Sequence, residues 1–194
     1  MDKALIAALA AALTLVAFVP YLRSMAQGHT KPHVFSWVIW GINTAVAFVA
    51  VLAEGGGAGA WVIGFSSAIT LYVAVVAYLK RADVSITAVD WFFFISALIA
   101  MPLWWWMNDP LWAVILITSI ELLGFGPTFR KCWYQPYSES IAFLAILMLR
   151  NALIVAALEH ATFTTLLFPV AMAGACLALI GIMLGRRLAT RSKG

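Results

Sequence analysis

Seven apolar runs divide the chain, at roughly 4–22, 34–53, 60–79, 90–107, 111–129, 141–158 and 163–185. Each is close to the length of about 20 residues that an α-helix needs to cross a bilayer. Backbone amides in hydrocarbon must bond within their own segment, so runs of this length predict helices. The alternating ten-residue strands of a membrane barrel are absent. The predicted fold is therefore all-α and integral to a membrane, with seven transmembrane helices. The first run ends in Pro20-Tyr21-Leu22-Arg23, without a small-x-small cleavage site. It reads as a span and not as a secretory leader.

The polar connections sort by charge. Arg23 and Lys31 follow the first run, Lys80 and Arg81 the third, and Arg130 and Lys131 the fifth. Arg186, Arg187, Arg191 and Lys193 follow the seventh. The alternate connections carry Glu54, Asp109 and Glu159, and their only cation is Lys3 near the start. Cations concentrate on the cytoplasmic side, which predicts an outside N-terminus and a cytoplasmic C-terminus. That alternation requires an odd number of spans. Trp104-Trp105-Trp106 and Trp112, around the turn Asn108-Asp109-Pro110, predict an aromatic belt at the outer interface.

Composition narrows the class further. Of 194 residues, 64% are apolar and 10% charged. A soluble domain carries about 25% charged residues. The net charge of +4 is explained by the positive-inside loops and implies no nucleic acid. The cysteines, Cys132 and Cys176, give no disulfide framework and no metal-ligand spacing. His29 and His33 are four apart but flank Lys31 and Pro32 in a loop, which makes a poor metal site. No H-E-x-x-H, G-x-S-x-G or phosphate loop is present. Every lysine lies at a span end or in a loop, so the bundle offers none for a retinal Schiff base. The chain is expected not to be an enzyme and to need no cofactor.

Spans 1–3 recur as spans 5–7. Pro20 and Arg23 match Pro127 and Arg130, Asn43 matches Asn151, Glu54 matches Glu159, and Lys80-Arg81 matches Arg186-Arg187. These landmarks keep one spacing to within three residues. The expected organisation is a first three-helix repeat over 1–81, a linker helix within 82–109, a second repeat over 110–187 and a cytoplasmic tail over 188–194. A single linker span keeps both repeats in the same orientation, and parallel repeats of this kind enclose a midplane site at their interface.

This 3+1+3 plan, with the Pro, basic-loop, Ser/Trp order of PYLRSMAQGHTKPHVFSW, resembles the SWEET and PQ-loop superfamily. The superfamily's Pro-Gln pair stands here as Pro20-Tyr21 and Pro127-Thr128. Its site asparagines and tryptophans lie toward spans 3 and 7, whereas Asn43 and Asn151 lie on spans 2 and 6. The plan, the tryptophan-rich faces and Ser138-Glu139-Ser140 are also similar to PnuC-type vitamin transporters. Either resemblance implies a small-molecule carrier or facilitator.

Ionisable residues inside spans are functional candidates by default. Glu121 is nine residues before Arg130, about 13 Å deep at 1.5 Å per residue. Arg150 is ten residues beyond Ser140, about 15 Å deep. Successive spans joined by a short loop would place them side by side. Two readings follow: an ion pair that locks spans 5 and 6, or a proton and substrate site. The equivalent positions in the first repeat are Thr14 and Ile42, so charge belongs to one half only. Asn43 and Asn151 would face the interior, either bonding a neighbouring helix or lining a pocket. Trp40, three residues before Asn43, and Trp37, six before, would add an aromatic face able to hold a flat ring or a sugar. Ser66, Ser67 and Thr70, near Gly59 and Gly64, read as helix packing, with ligand contact as the alternative. Pro20, Pro127 and Pro169 are candidate hinges or helix ends.

The expected function is transport of a small polar solute, sugar-like or vitamin- or nucleoside-like, by alternating access between the repeats. The expected partners are that solute and the lipid bilayer, with a homo-oligomer compatible. The expected location is a cell membrane of the bacterial inner-membrane kind. The alternative is a non-transporting receptor or scaffold on the same fold. A polar cavity near Asn43, Asn151 and Glu121 would favour transport, and a dry core the scaffold.

Overall fold

A computed structural model describes residues 2–27, 34–80, 88–134, 136–137 and 140–191. His29, His33, Lys31, Arg81 and Ser138-Glu139 lie outside the described residues. The described chain is all-α. Its seven helices are α1 (Lys3–Ala26), α2 (Val34–Ala53), α3 (Gly57–Leu79), α4 (Ala88–Met107), α5 (Pro110–Tyr134), α6 (Ile141–Ala157) and α7 (Phe163–Arg191). Residues 188–191, expected in a tail, continue the last helix. Four stretches are long and apolar enough to cross a membrane: Lys3–Arg23, Val34–Ala53, Gly57–Leu79 and Phe163–Ala189. Phe94–Met107, Pro110–Leu123 and Ile141–Ala157 are shorter apolar helices.

Local chemistry sets the helix ends. The Asp2 side chain accepts from the Ala4 N–H, and the Asp109 carboxylate accepts from the Leu111 N–H at 2.9 Å. Ser140 accepts from the Phe143 N–H, so α6 starts where its polar cap meets the apolar run. Before α7, the Thr165 N–H donates to the Thr162 hydroxyl and the Thr162 N–H to the Thr165 hydroxyl. This reciprocal arrangement satisfies two donors that a helix start leaves free. Between α2 and α3, Gly55 takes a φ of +73°, which a side chain disfavours. Pro20, Pro102 and Pro169 stand inside helices that continue past them, so they do not end those helices.

The packing order differs from the chain order. α1 packs on α3 and α3 on α2, while among the described residues the backbones of α1 and α2 stay apart and the helices meet through side chains such as Tyr21 and Trp37. In the same way α5 packs on α7 and α7 on α6, while the described backbones of α5 and α6 stay apart. The two trios meet through α1 against α6 and α2 against α5, with α3 on α6 and α2 on α7. Among the described residues α4 packs on α2 and α5. Adjacency of α5 and α6, expected from their short connection, is thus corrected: α7 lies between them.

Both ends of the bundle are tied. At one end the Glu159 N–H donates to the Gly56 carbonyl, joining the α2–α3 turn to the α6–α7 turn. The Lys3 ammonium donates to the Leu158 carbonyl at the same end. At the other end Lys80, beyond α3, donates to the Met25 and Ala26 carbonyls that finish α1. Arg186 on α7 donates to the Trp133 carbonyl near the end of α5, at 3.0 Å. Arg187 donates to the Pro136 carbonyl just beyond it, at 2.8 Å. A cation at a helix C-terminus satisfies carbonyls that lack intrahelical partners and opposes the negative end of the dipole. The same chemistry joins the third helix of each trio to its first.

Candidate functional site

Between the trios lies a cavity of about 360 Å³. All six helices of the trios line it, with no α4 residue among the described lining. On α2 its lining is Trp37, Trp40 and Thr44; on α6 it includes Phe143, Leu147, Arg150 and Asn151. These spacings of three, four and seven place each set along one helical face. Glu121 and Phe125 come from α5, Ser66 and Thr70 from α3, and Phe168, Met172 and Cys176 from α7. Phe18 closes the α1 side.

Both trios give the cavity aromatic rings, and its tryptophans, Trp37 and Trp40, come from the first. Trp37 sits 5.1 Å from Tyr21, 5.4 Å from Trp40 and 6.2 Å from Phe18, ring centre to ring centre. Offset and edge contacts at such distances hold rings in place. Trp37 is therefore a packed element of the wall, and Trp40 remains 38% exposed beside it.

The charges belong to the second trio. Glu121 is 8% and Arg150 7% exposed. They form no ion pair within 4.0 Å. The expected lock between spans 5 and 6 is corrected here, and the reason is the placement of α7. Arg150 lies beside Cys176 on that intervening helix, and its Nε has no hydrogen-bond partner. The Glu121 Oε1 has none either.

Asn43 is fully buried and does not itself line the cavity. Its amide stands beside the Glu121 carboxyl, yet neither side-chain atom makes a hydrogen bond of normal geometry. Asn151 lines the cavity and donates to Leu147 one turn back, leaving its Oδ1 without a partner. Asn151 thus bonds within its own helix, and the Asn43 amide approaches α5 at Glu121. Buried polar atoms without partners are rare in folded proteins, and each calls for a specific explanation. Here such atoms sit on Asn43, Thr118, Glu121, Arg150 and Asn151. All five residues are on α2, α5 or α6.

The chain matches no protein-family model, no curated protein and no solved structure.

Among the serines and threonines, sequence reasoning separated roles incompletely. Ser67 does act in packing, donating to the Gly41 carbonyl of α2 at 3.0 Å. Ser66 and Thr70 instead reach the cavity, where Thr70 donates to the Ser66 carbonyl. Thr44, Phe125, Phe143 and Cys176 were not singled out by sequence. Thr44 is four residues from Trp40 and follows Asn43, a usable signal. The others look like ordinary span residues. Thr14, the counterpart of Glu121, is buried and donates to the Ala10 carbonyl of its own helix. Pro20 is exposed on α1 and Pro169 is buried in α7. Position 127 falls within α5, and the Pro127 side chain lies outside the described residues.

Proposed function

We propose that this protein is a membrane facilitator or secondary transporter of a small polar solute, working by alternating access between two three-helix repeats. One observation carries the proposal. A mainly apolar cavity with a few convergent polar side chains lies between the two trios, and among the described residues all six of their helices line it. A volume of about 360 Å³ falls within the range of about 300–1,000 Å³ typical of small-ligand sites. The free Asn151 Oδ1 and the Glu121 and Arg150 side chains, which form no ion pair, are what a site for polar groups offers, and a scaffold core would have paired them.

In this reading all seven helices are spans, with 3+1+3 organisation and α4 as linker. The matching order within each trio supports a duplication. So does the pairing of α1 with α6 and of α2 with α5, which an axis along the membrane normal would exchange. The basic ends of α3 and α7 would face the cytoplasm, the N-terminus would lie outside, and the membrane would be of the bacterial inner-membrane kind. The trios would rock about the solute, with Pro20, Pro127 and Pro169 as hinges. Movement would follow the solute gradient or a proton carried on Glu121, since intramembrane carboxyls serve as proton relays.

Uptake by liposomes holding the purified protein tests this. A hexose, a nucleoside and an amino acid would be offered under a solute gradient and under a pH gradient. At least one should accumulate above protein-free liposomes. If none moves under either gradient, the transport reading fails. If Glu121→Gln leaves pH-driven uptake unchanged, proton coupling through Glu121 fails alone.

A further inference from the structure

The two ionisable side chains in the cavity, one acidic and one basic, are each more than nine-tenths buried, and neither forms an ion pair. Isolated buried charges are strongly disfavoured unless something compensates them. They do not compensate each other, because Glu121 is on α5, Arg150 is on α6, and α7 separates those helices. Both nevertheless line one cavity. A guanidinium presents a rigid fork of donors that fits a carboxylate in two parallel hydrogen bonds. A carboxylate is acceptor-only when ionised and fits an ammonium.

We infer that the cavity takes a zwitterionic amino acid with an apolar or aromatic side chain, its carboxylate on Arg150, its ammonium on Glu121, and its side chain against Trp37 and Trp40. This rests on the reading of the cavity as a solute site and names the class of solute. A neutral sugar would leave both charges desolvated and uncompensated. A simple anion would satisfy Arg150 and leave Glu121, and a simple cation the reverse. A zwitterion answers both and adds no net charge to an apolar enclosure. The asymmetry of the two halves gives the ligand a direction. The second trio supplies the charges for the polar head. The first, with Thr14 and Ile42 at the matching positions, supplies the tryptophan pair, and Phe125, Phe143 and Phe168 of the second trio add rings to the same cavity.

Calorimetric binding to the full-length protein in lipid nanodiscs tests this independently of transport. The probes are L-phenylalanine, 3-phenylpropanoate, 2-phenylethylamine, D-glucose and uridine. L-Phenylalanine should bind, and removal of either charge from the ligand should weaken binding about tenfold or more, as expected for a hydrogen bond to a charged group. Glu121→Gln should weaken L-phenylalanine about tenfold and leave 3-phenylpropanoate unchanged; Arg150→Gln should weaken both. The ligand series on the unaltered protein keeps the test valid if a variant does not fold. Equal binding of L-phenylalanine and either single-charge relative overturns the inference. So does tighter binding of glucose or uridine, and in that case the solute-site reading stands. If no probe binds, the inference falls, and liposome uptake decides the broader reading by itself.

Discussion

At the residue scale, the informative side chains are those whose bonding is incomplete. Asn43 is fully buried, and its amide stands beside the Glu121 carboxyl without a hydrogen bond of normal geometry, so it adds little to the fold that an apolar side chain would not. Asn43→Leu should leave the thermal unfolding midpoint in detergent unchanged or higher, while uptake falls. A structural hydrogen bond across helices would be worth about 0.6 kcal/mol, and its loss would lower the midpoint instead. Arg150→Met makes a second prediction at this scale. An unpaired buried charge carries a desolvation cost that a well-packed apolar group does not. Stability should therefore hold or rise, with uptake lost. A clear fall in the midpoint would mean that Arg150 has a structural partner. Both residues were legible as isolated polar letters in apolar runs. That they lack partners was not, because partnership depends on which helices touch.

At the element scale, close helix approach decides the joint between the trios. A Cβ on Gly59 of α3 would come within 2.8 Å of the Ile154 carbonyl oxygen and 3.0 Å of the Leu158 nitrogen on the α6 side. Those are backbone atoms and cannot swing aside, so Gly59→Ala should push α3 from α6. The expected loss is about 1–3 kcal/mol, read by denaturant unfolding in micelles. Gly174→Ala on α7 is the control, because nothing lies within 4 Å of its added methyl. It should be neutral, or more stable by up to about 1 kcal/mol, through helix propensity. Pro169 gives another test. As a helix-interior proline it removes the bond to the carbonyl four residues before it, that of Thr165. Pro169→Ala should slow uptake several-fold without weakening ligand binding. Unchanged uptake would remove it from the hinges.

At the scale of the whole molecule, topology is the open quantity with the simplest readout. The native thiols, Cys132 and Cys176, are buried, which keeps background labelling low. Exposed single positions at opposite ends can then be compared. Asn108→Cys, between α4 and α5, should react with an impermeant maleimide on intact cells. Ala26→Cys, at the end of α1, should react only after permeabilisation. The reverse pattern would invert the orientation, and labelling of both from outside would break the odd-span plan. The exposed indoles of Trp105 and Trp106, at 87% and 82%, mark the end expected at the outer interface.

The sequence determined the elements. Run length and uniform apolarity locate seven helices to within a few residues, because backbone bonding in hydrocarbon permits little else. The recurring Pro, Asn, Glu and basic landmarks expose a repeated pattern by spacing alone. It also isolated Trp37, Trp40, Glu121, Arg150 and Asn151, since polar and aromatic letters stand out against alanine and leucine, and these side chains meet at one cavity. Only the tertiary structure decided who neighbours whom. A soluble helix marks its buried face with an apolar stripe. Here lipid and core are both apolar, so Phe143, Met172 and Cys176 carry no mark of which way they point. For the same reason chain order suggested that α5 and α6 touch. The insertion of α7 between them leaves Glu121 and Arg150 unpaired in one cavity.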